Sequence, residues 1–162
     1  MKIDHDKYDV FIFDLDRTLW DTKDRYDQDI WAKQLIPPFK LNHDVLIDDV
    51  FSYCKLRPGV IKYLTFLTLK EKQIGFLSNG KLWGTMYTDQ PSVQTMIHLG
   101  IYHFFNFKRE LLYKTSPKFD RLKNSENCVF FDDNDQVLAE VSKLKNVKTV
   151  DSKLIENWSD LI

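Results

Sequence analysis

A doubly wound α/β domain, with a mainly parallel sheet and helices on both faces, is the fold class this sequence predicts. Three short apolar runs that each stop at polar residues are the first observation: Tyr8 to Asp14, Gln73 to Ser78 and Asn127 to Asp132. Helical periodicity in the stretches between them is the second. A strand buried on both faces reads as a continuous apolar run, and strands alternating with helices build a parallel sheet. The third is continuity. No repeat, low-complexity tract or linker-like stretch interrupts the 162 residues, so one domain over 1–162 is expected.

The elements follow in order. Tyr8 to Asp14 reads Tyr-Asp-Val-Phe-Ile-Phe-Asp, a β-rich run that opens on acid at its carboxyl end. Residues at about 21–57 are expected to form a small helical insert. It would hold a helix over Asp29 to Ile36, ended by Pro37-Pro38, and a second short helix over His43 to Tyr53. Pro58 to Leu69 places Val60, Leu64 and Leu67 on one helical face, with Pro58 suited to the first turn. The run Gln73 to Ser78 stops at the turn signal Asn79-Gly80. Val93 to Leu99 repeats the helical pattern through Val93, Met96 and Ile97, with Gly100 as its cap. Phe104 to Lys108 is a weaker strand candidate, and Phe119 to Lys123 a helix. After the strand at Asn127 to Asp132 come a helix from Asp135 to Leu144 and a last strand at Val147 to Val150.

Bulk properties exclude several classes. The formal net charge is -1, so no global field draws the chain to nucleic acid or anionic lipid, and a nucleic-acid partner is not expected. Affinity for a charged substrate must come from a local site. Cys54 and Cys128 stand in no metal-ligand spacing and read as two buried thiols in a reducing compartment. The segment Met1 to Tyr8 is too polar for a secretion signal, and no apolar run approaches the ~20 residues of a membrane span. The cytoplasm is the expected compartment. His5, His43, His98 and His103 show no ligand spacing.

The chemistry lies at three strand ends: Asp14 and Asp16, then Ser78 and Asn79, then Asp132 and Asp133. In open α/β sheets, sites form outside the carboxyl ends of the strands, near the switch in strand order. Acids gathered there repel one another unless a cation sits among them, and oxygen ligands alone favour a hard ion such as Mg²⁺. Of Asp14 and Asp16, one can attack phosphorus and the other can protonate the leaving oxygen. A carboxylate is already ionised at neutral pH and needs no activating base. Ser78 and the backbone near Asn79-Gly80 offer donors to phosphate oxygens. A lysine is then needed to stabilise charge on the phosphoryl group, and Lys114 and Lys118 both qualify. The pair Asp132-Asp133 also suits a helix N-terminus ahead of Gln136.

Phe13-Asp14-Leu15-Asp16-Arg17-Thr18-Leu19 resembles the first signature of the haloacid dehalogenase superfamily, an apolar run followed by Asp-x-Asp-x-Thr. The other three signatures follow in order: Ser78, Lys114 in a Lys-x-x-Pro element, and Asp132-Asp133. The match spans roughly residues 8–145. A finer resemblance is to the small magnesium-dependent phosphatases of that superfamily. It is carried by Asp14 to Trp20, Leu56-Arg57-Pro58-Gly59, Phe119-Asp120-Arg121-Leu122 and Val129 to Asp133. Those proteins tend to carry Ser-Arg where this chain has Ser78-Asn79.

The resemblance implies Asp14 as nucleophile, Asp16 as general acid then base, and Lys114 as the phosphate-stabilising lysine, with Lys118 as alternate. It implies Mg²⁺ held by the Asp14 carboxylate, the Asp16 backbone carbonyl and Asp133, assisted by Asp132. Ser78, Asn79, Thr18 and Arg17 complete the substrate-binding candidates. Arg17 is unusual between two such positions and either reaches substrate or faces solvent. Trp20 and Trp31 are expected to pack in core or loop, while Trp83 and Tyr87 are weaker candidates for the pocket border. Gaps of about 37 residues before Arg57 and about 33 before Tyr113 leave no room for more than a minimal cap. The expected activity is Mg²⁺-dependent hydrolysis of phosphomonoesters through an aspartyl-phosphate on Asp14. The alternatives are a phosphotransferase or mutase on a sugar phosphate, or a non-catalytic scaffold that binds a phospho-ligand. A small-molecule phosphate or a phosphotyrosyl protein is the expected substrate, with no membrane partner and a monomer or small homo-oligomer.

Overall fold

Val10, Phe11, Ile12 and Phe13 alternate between two covered faces, and the computed structural model places them in a central strand, β1 (Val10–Phe13). The structure describes residues 2–24, 26, 37–48, 52–79, 86–107, 109–112 and 117–162. After β1 come β2 (Trp20–Lys23), β3 (Lys40–Asn42), β4 (Val45–Ile47) and β5 (Tyr53–Leu56), then α1 (Val60–Leu69) and β6 (Gln73–Asn79). The second half holds α2 (Pro91–His98), β7 (Arg109–Leu112), α3 (Lys118–Leu122), β8 (Cys128–Asp132), α4 (Asp135–Val141) and β9 (Val147–Asp151).

Among the described residues, the main sheet has five strands in the order β7-β6-β1-β8-β9, and every pairing in it is parallel. Strand order reverses at β1, which lies between β6 and β8. This is the doubly wound topology the apolar runs predict. The two faces bury different halves of the same strands, as the two-residue repeat of a strand requires. Phe11, Phe13, Ile74, Phe76, Val129 and Phe131 pack with α1, α2 and the 3₁₀ turn Trp158–Leu161. Ile12, Leu77, Cys128 and Phe130 face the other way, against Leu122 of α3 and Val141 of α4. Phe13 stacks on Phe131 at 4.7 Å, and both rings lie against Trp158. Cys54 and Cys128 are buried free thiols, as expected.

Two expectations change. The described part of the insert is β-structure: β2, β5, β4 and β3 form an antiparallel four-stranded sheet in that order. Of the stretch His43 to Tyr53, expected as a helix, the described residues hold the turn at His43, the strand β4 and the start of β5. His43 takes φ 54, turning the chain between β3 and β4. Val45, Leu46 and Ile47 then alternate with only Leu46 buried, the pattern of a half-covered strand rich in β-branched residues. The expected helix over Asp29 to Ile36 lies outside the described residues. The weak strand at Phe104 to Lys108 is also displaced. Tyr102–Phe104 is a 3₁₀ turn that buries Phe105, and the edge strand forms later, as β7. None of the helices among the described residues is long and apolar enough to cross a membrane.

Candidate active site

Asp14 is the first residue past β1, and its N–H still donates to Phe131 O of β8 at 2.8 Å. The chain then leaves the sheet in a tight loop. Arg17 adopts φ 61 and its N–H donates to Trp20 O at 2.7 Å, while Thr18 and Leu19 both donate to Leu15 O. The loop folds back because β2 must start at Trp20 to pair with β5. Leu15 and Leu19 are fully buried beneath it. From the neighbouring strand, Asp132 is the last residue of β8 and Asp133 follows it. The two strand ends therefore meet at the reversal of strand order, where the topology opens a crevice.

One oxygen from each of Asp14, Asp132 and Asp133 falls within 4.8 Å of the others. Lys118 reaches this group from α3, where it occupies the first turn after Pro117. Its Nζ donates to Asp14 Oδ1 at 2.6 Å and to Asp132 Oδ2 at 2.7 Å, and the side chain is almost fully buried. Thr18 Oγ1 donates to the other oxygen of Asp14 at 3.3 Å and is 3.1 Å from Ser152 Oγ. Asp132 Oδ1 accepts from the Asn134 N–H at 2.8 Å. Asn134, with its side chain accepting from Gln136 N and Val137 N, is the N-cap of α4. Capping is thus not the task of Asp132 or Asp133.

Asp16 stands apart from that trio. Its Oδ1 accepts from Trp20 Nε1 at 2.9 Å, four residues along the same loop. Burial first, and repulsion from Asp14 second, push its carboxyl up to about 7. The same two causes raise Asp132 and Asp133 above the ordinary carboxylate range. Burial alone would lower Lys118, but Asp14 and Asp132 outweigh it and hold the ammonium charged. Arg17 Nη1 meets Asp133 Oδ2 at 3.2 Å. Four carboxylates thus face two cations at one end of the sheet, and the raised values record the unbalanced negative charge. Oxygen donors with a surplus of negative charge fit a hard divalent cation.

The main-chain fold is shared with a known enzyme. A crystal structure of a Had-superfamily hydrolase from Ehrlichia chaffeensis aligns with a TM-score of 0.58 over 94% of this chain and 93% of that one, at 15% identity. The chain therefore has the doubly wound α/β fold of that hydrolase. No family model matches the chain, and no curated protein matches it in sequence.

Within that fold, Asp14, Asp16, Arg17, Thr18, Lys118, Asp132 and Asp133 gather at the strand ends. Ser78 is buried in β6, and Asn79 ends that strand at the surface. Lys114, Trp31 and Trp83 lie outside the described residues, and nothing is described of the Tyr87 side chain. Sequence reading missed two supports. Trp20, expected to pack, also donates to Asp16. Arg57 enters the sequence pattern only as part of Leu56-Arg57-Pro58-Gly59. Its guanidinium donates to the carbonyls of Arg17 (3.1 Å), Thr18 (3.4 Å), Ser152 (2.9 Å) and Ile155, joining the Asp14 loop to the segment after β9. The signal available in the sequence is an arginine directly before Pro58-Gly59.

Proposed function

We propose that the protein is a Mg²⁺-dependent phosphatase that hydrolyses phosphomonoesters through an aspartyl-phosphate on Asp14. The observation that carries the reading is the Asp14 carboxylate, held by Lys118 and Thr18 beside Asp132 and Asp133 at the strand-order reversal. A carboxylate in contact with a buried ammonium is equipped to attack a phosphorus centre whose oxygens that ammonium can stabilise.

Asp14 forms the new O–P bond as the ester O–P bond breaks, and the departing oxygen takes a proton from Asp16. A carboxyl pushed up to about 7 retains a proton near neutrality, which suits this role. Asp16, now ionised, takes a proton from water as that water's oxygen attacks phosphorus and frees Asp14. Lys118 offsets charge on the phosphoryl oxygens in both halves. Asp14, Asp133 and Asp132, with the Asp16 carbonyl, would hold the Mg²⁺, which when bound offsets the repulsion between the phosphate and the carboxylates. Ser78, Asn79 and the Thr18 loop would bind the phosphate. A small-molecule phosphomonoester or a phosphotyrosyl protein is the substrate class, and membership of the haloacid dehalogenase superfamily is part of this reading.

The test is turnover of p-nitrophenyl phosphate. Wild type should be active with Mg²⁺, silent in EDTA and restored by added Mg²⁺. Asp14→Asn should fall to background, and Asp16→Asn should lose about 10²–10⁴-fold. Wild-type turnover by Asp14→Asn would overturn the mechanism.

A further inference from the structure

Each candidate metal ligand is held by a neighbouring side chain, and two of them share Lys118. Asp14 is held by Lys118 and Thr18, and Asp132 by Lys118 and the Asn134 N–H. Asp133 is met by Arg17, whose side chain has no assigned step in the reaction above. We propose that Arg17 is a positioning residue for the metal site, fixing the Asp133 carboxylate within the acidic trio through the contact of Nη1 with Oδ2.

The proposal rests on the metal site of the phosphatase reading and on two further observations. The ion pair is sheltered, with the Arg17 and Asp133 side chains 31% and 15% exposed, so solvent screens it less than a surface pair. The Arg17 backbone sits in the left-handed region at φ 61, which residues with a side chain rarely adopt. It is locked there from both sides: its N–H donates to Trp20 O, and its carbonyl accepts from Arg57. Glycine would meet this conformation at lower cost, yet the position carries a long guanidinium that lands on a candidate ligand. Groups that orient a metal ligand from behind typically change metal affinity about 10- to 100-fold when removed.

The sign of the effect separates positioning from mere proximity. A positive charge beside a cation site weakens binding by Coulomb repulsion, so removing it without loss of alignment would tighten the site. Positioning predicts the reverse. Mn²⁺ titrated into the full chain, with free ion read by electron paramagnetic resonance, should bind Arg17→Met about tenfold or more weakly than wild type. Arg17→Lys should recover part of the loss. Arg17→Gly relieves the backbone and should melt no lower than wild type without metal, yet show the same weakened binding; this keeps a folding defect out of the result. Unchanged or tighter Mn²⁺ binding by the Met and Gly variants overturns the role of Arg17 alone, provided Asp14→Asn loses the ion. Failure of wild type to bind Mn²⁺ overturns both this role and the metal site of the phosphatase reading.

Discussion

Lys118 is buried between two carboxylates, and burial of a single unpaired charge there would be strongly unfavourable. At the end of its stem, Nζ lies over the Phe130 ring, 5.7 Å from the centroid. Lys118→Met preserves much of that stem and removes the charge, leaving Asp14 and Asp132 facing each other. In EDTA at pH 8, urea unfolding followed by tryptophan fluorescence should show a loss of about 3 kcal/mol. The deficit should shrink toward pH 5, where the abandoned carboxylates protonate. A variant as stable as wild type at pH 8 would contradict the pairing. Sequence spacing leaves Lys114 and Lys118 both eligible, because a lysine stem is long enough to serve from either position. Packing brings Lys118 to the acids, since a helix begins immediately after Pro117 and its first turn abuts β8. The acids themselves were legible because each terminates an apolar run.

At the level of elements, the site loop is fastened to the far end of the chain. Gly59 precedes α1 at φ 79, and a Cβ built there would lie 2.2 Å from Asn157 Oδ1 and 2.5 Å from Ser159 N. Pro58 O accepts the Trp158 N–H at 2.8 Å. With Arg57 bonded to the carbonyls of the Asp14 loop, Ser152 and Ile155, three consecutive residues join β5, the loop and the C-terminal 3₁₀ turn. Gly59→Ala must therefore displace backbone and also hold alanine in a left-handed conformation. It should cost about 2–4 kcal/mol, read as a lower urea midpoint with an unchanged slope. Stability within about 0.5 kcal/mol of wild type would show that the 3₁₀ turn is not packed as described. The parallel strands and their helices were legible from periodicity because both faces of the sheet are apolar. The insert was not. Its strands are three or four residues long and half exposed, so period-2 alternation has too few positions to outweigh a helical reading.

Across the whole molecule, the net charge is only -1, yet the strand-order reversal gathers four carboxylates against two cations. This couples the site to global stability. In the metal-free protein Asp16 is pushed up to about 7, chiefly by burial and then by Asp14, and Asp132 and Asp133 are raised by the same causes. An unfolded carboxylate titrates near pH ~4, so the folded state binds these protons more tightly than the unfolded chain. Their stabilising contribution is complete below the unfolded value and is lost as pH rises through the folded one. His5 acts oppositely: burial lowers it, so its contribution is present above its ordinary value and is lost as pH falls through the lowered one. Its ring sits against Tyr63 and Phe66. Melting temperatures in EDTA should therefore fall between pH 5 and pH 8. Asp16→Asn should flatten that fall while leaving the His5 contribution in place. Added Mg²⁺ should raise the melting temperature more at pH 8 than at pH 5, because protons and the ion compete for the same oxygens. A wild-type profile in EDTA that rises steadily from pH 5 to pH 8, and matches that of Asp16→Asn, would show that the carboxylates are not held in the sheltered, mutually repelling arrangement from which the metal site is inferred.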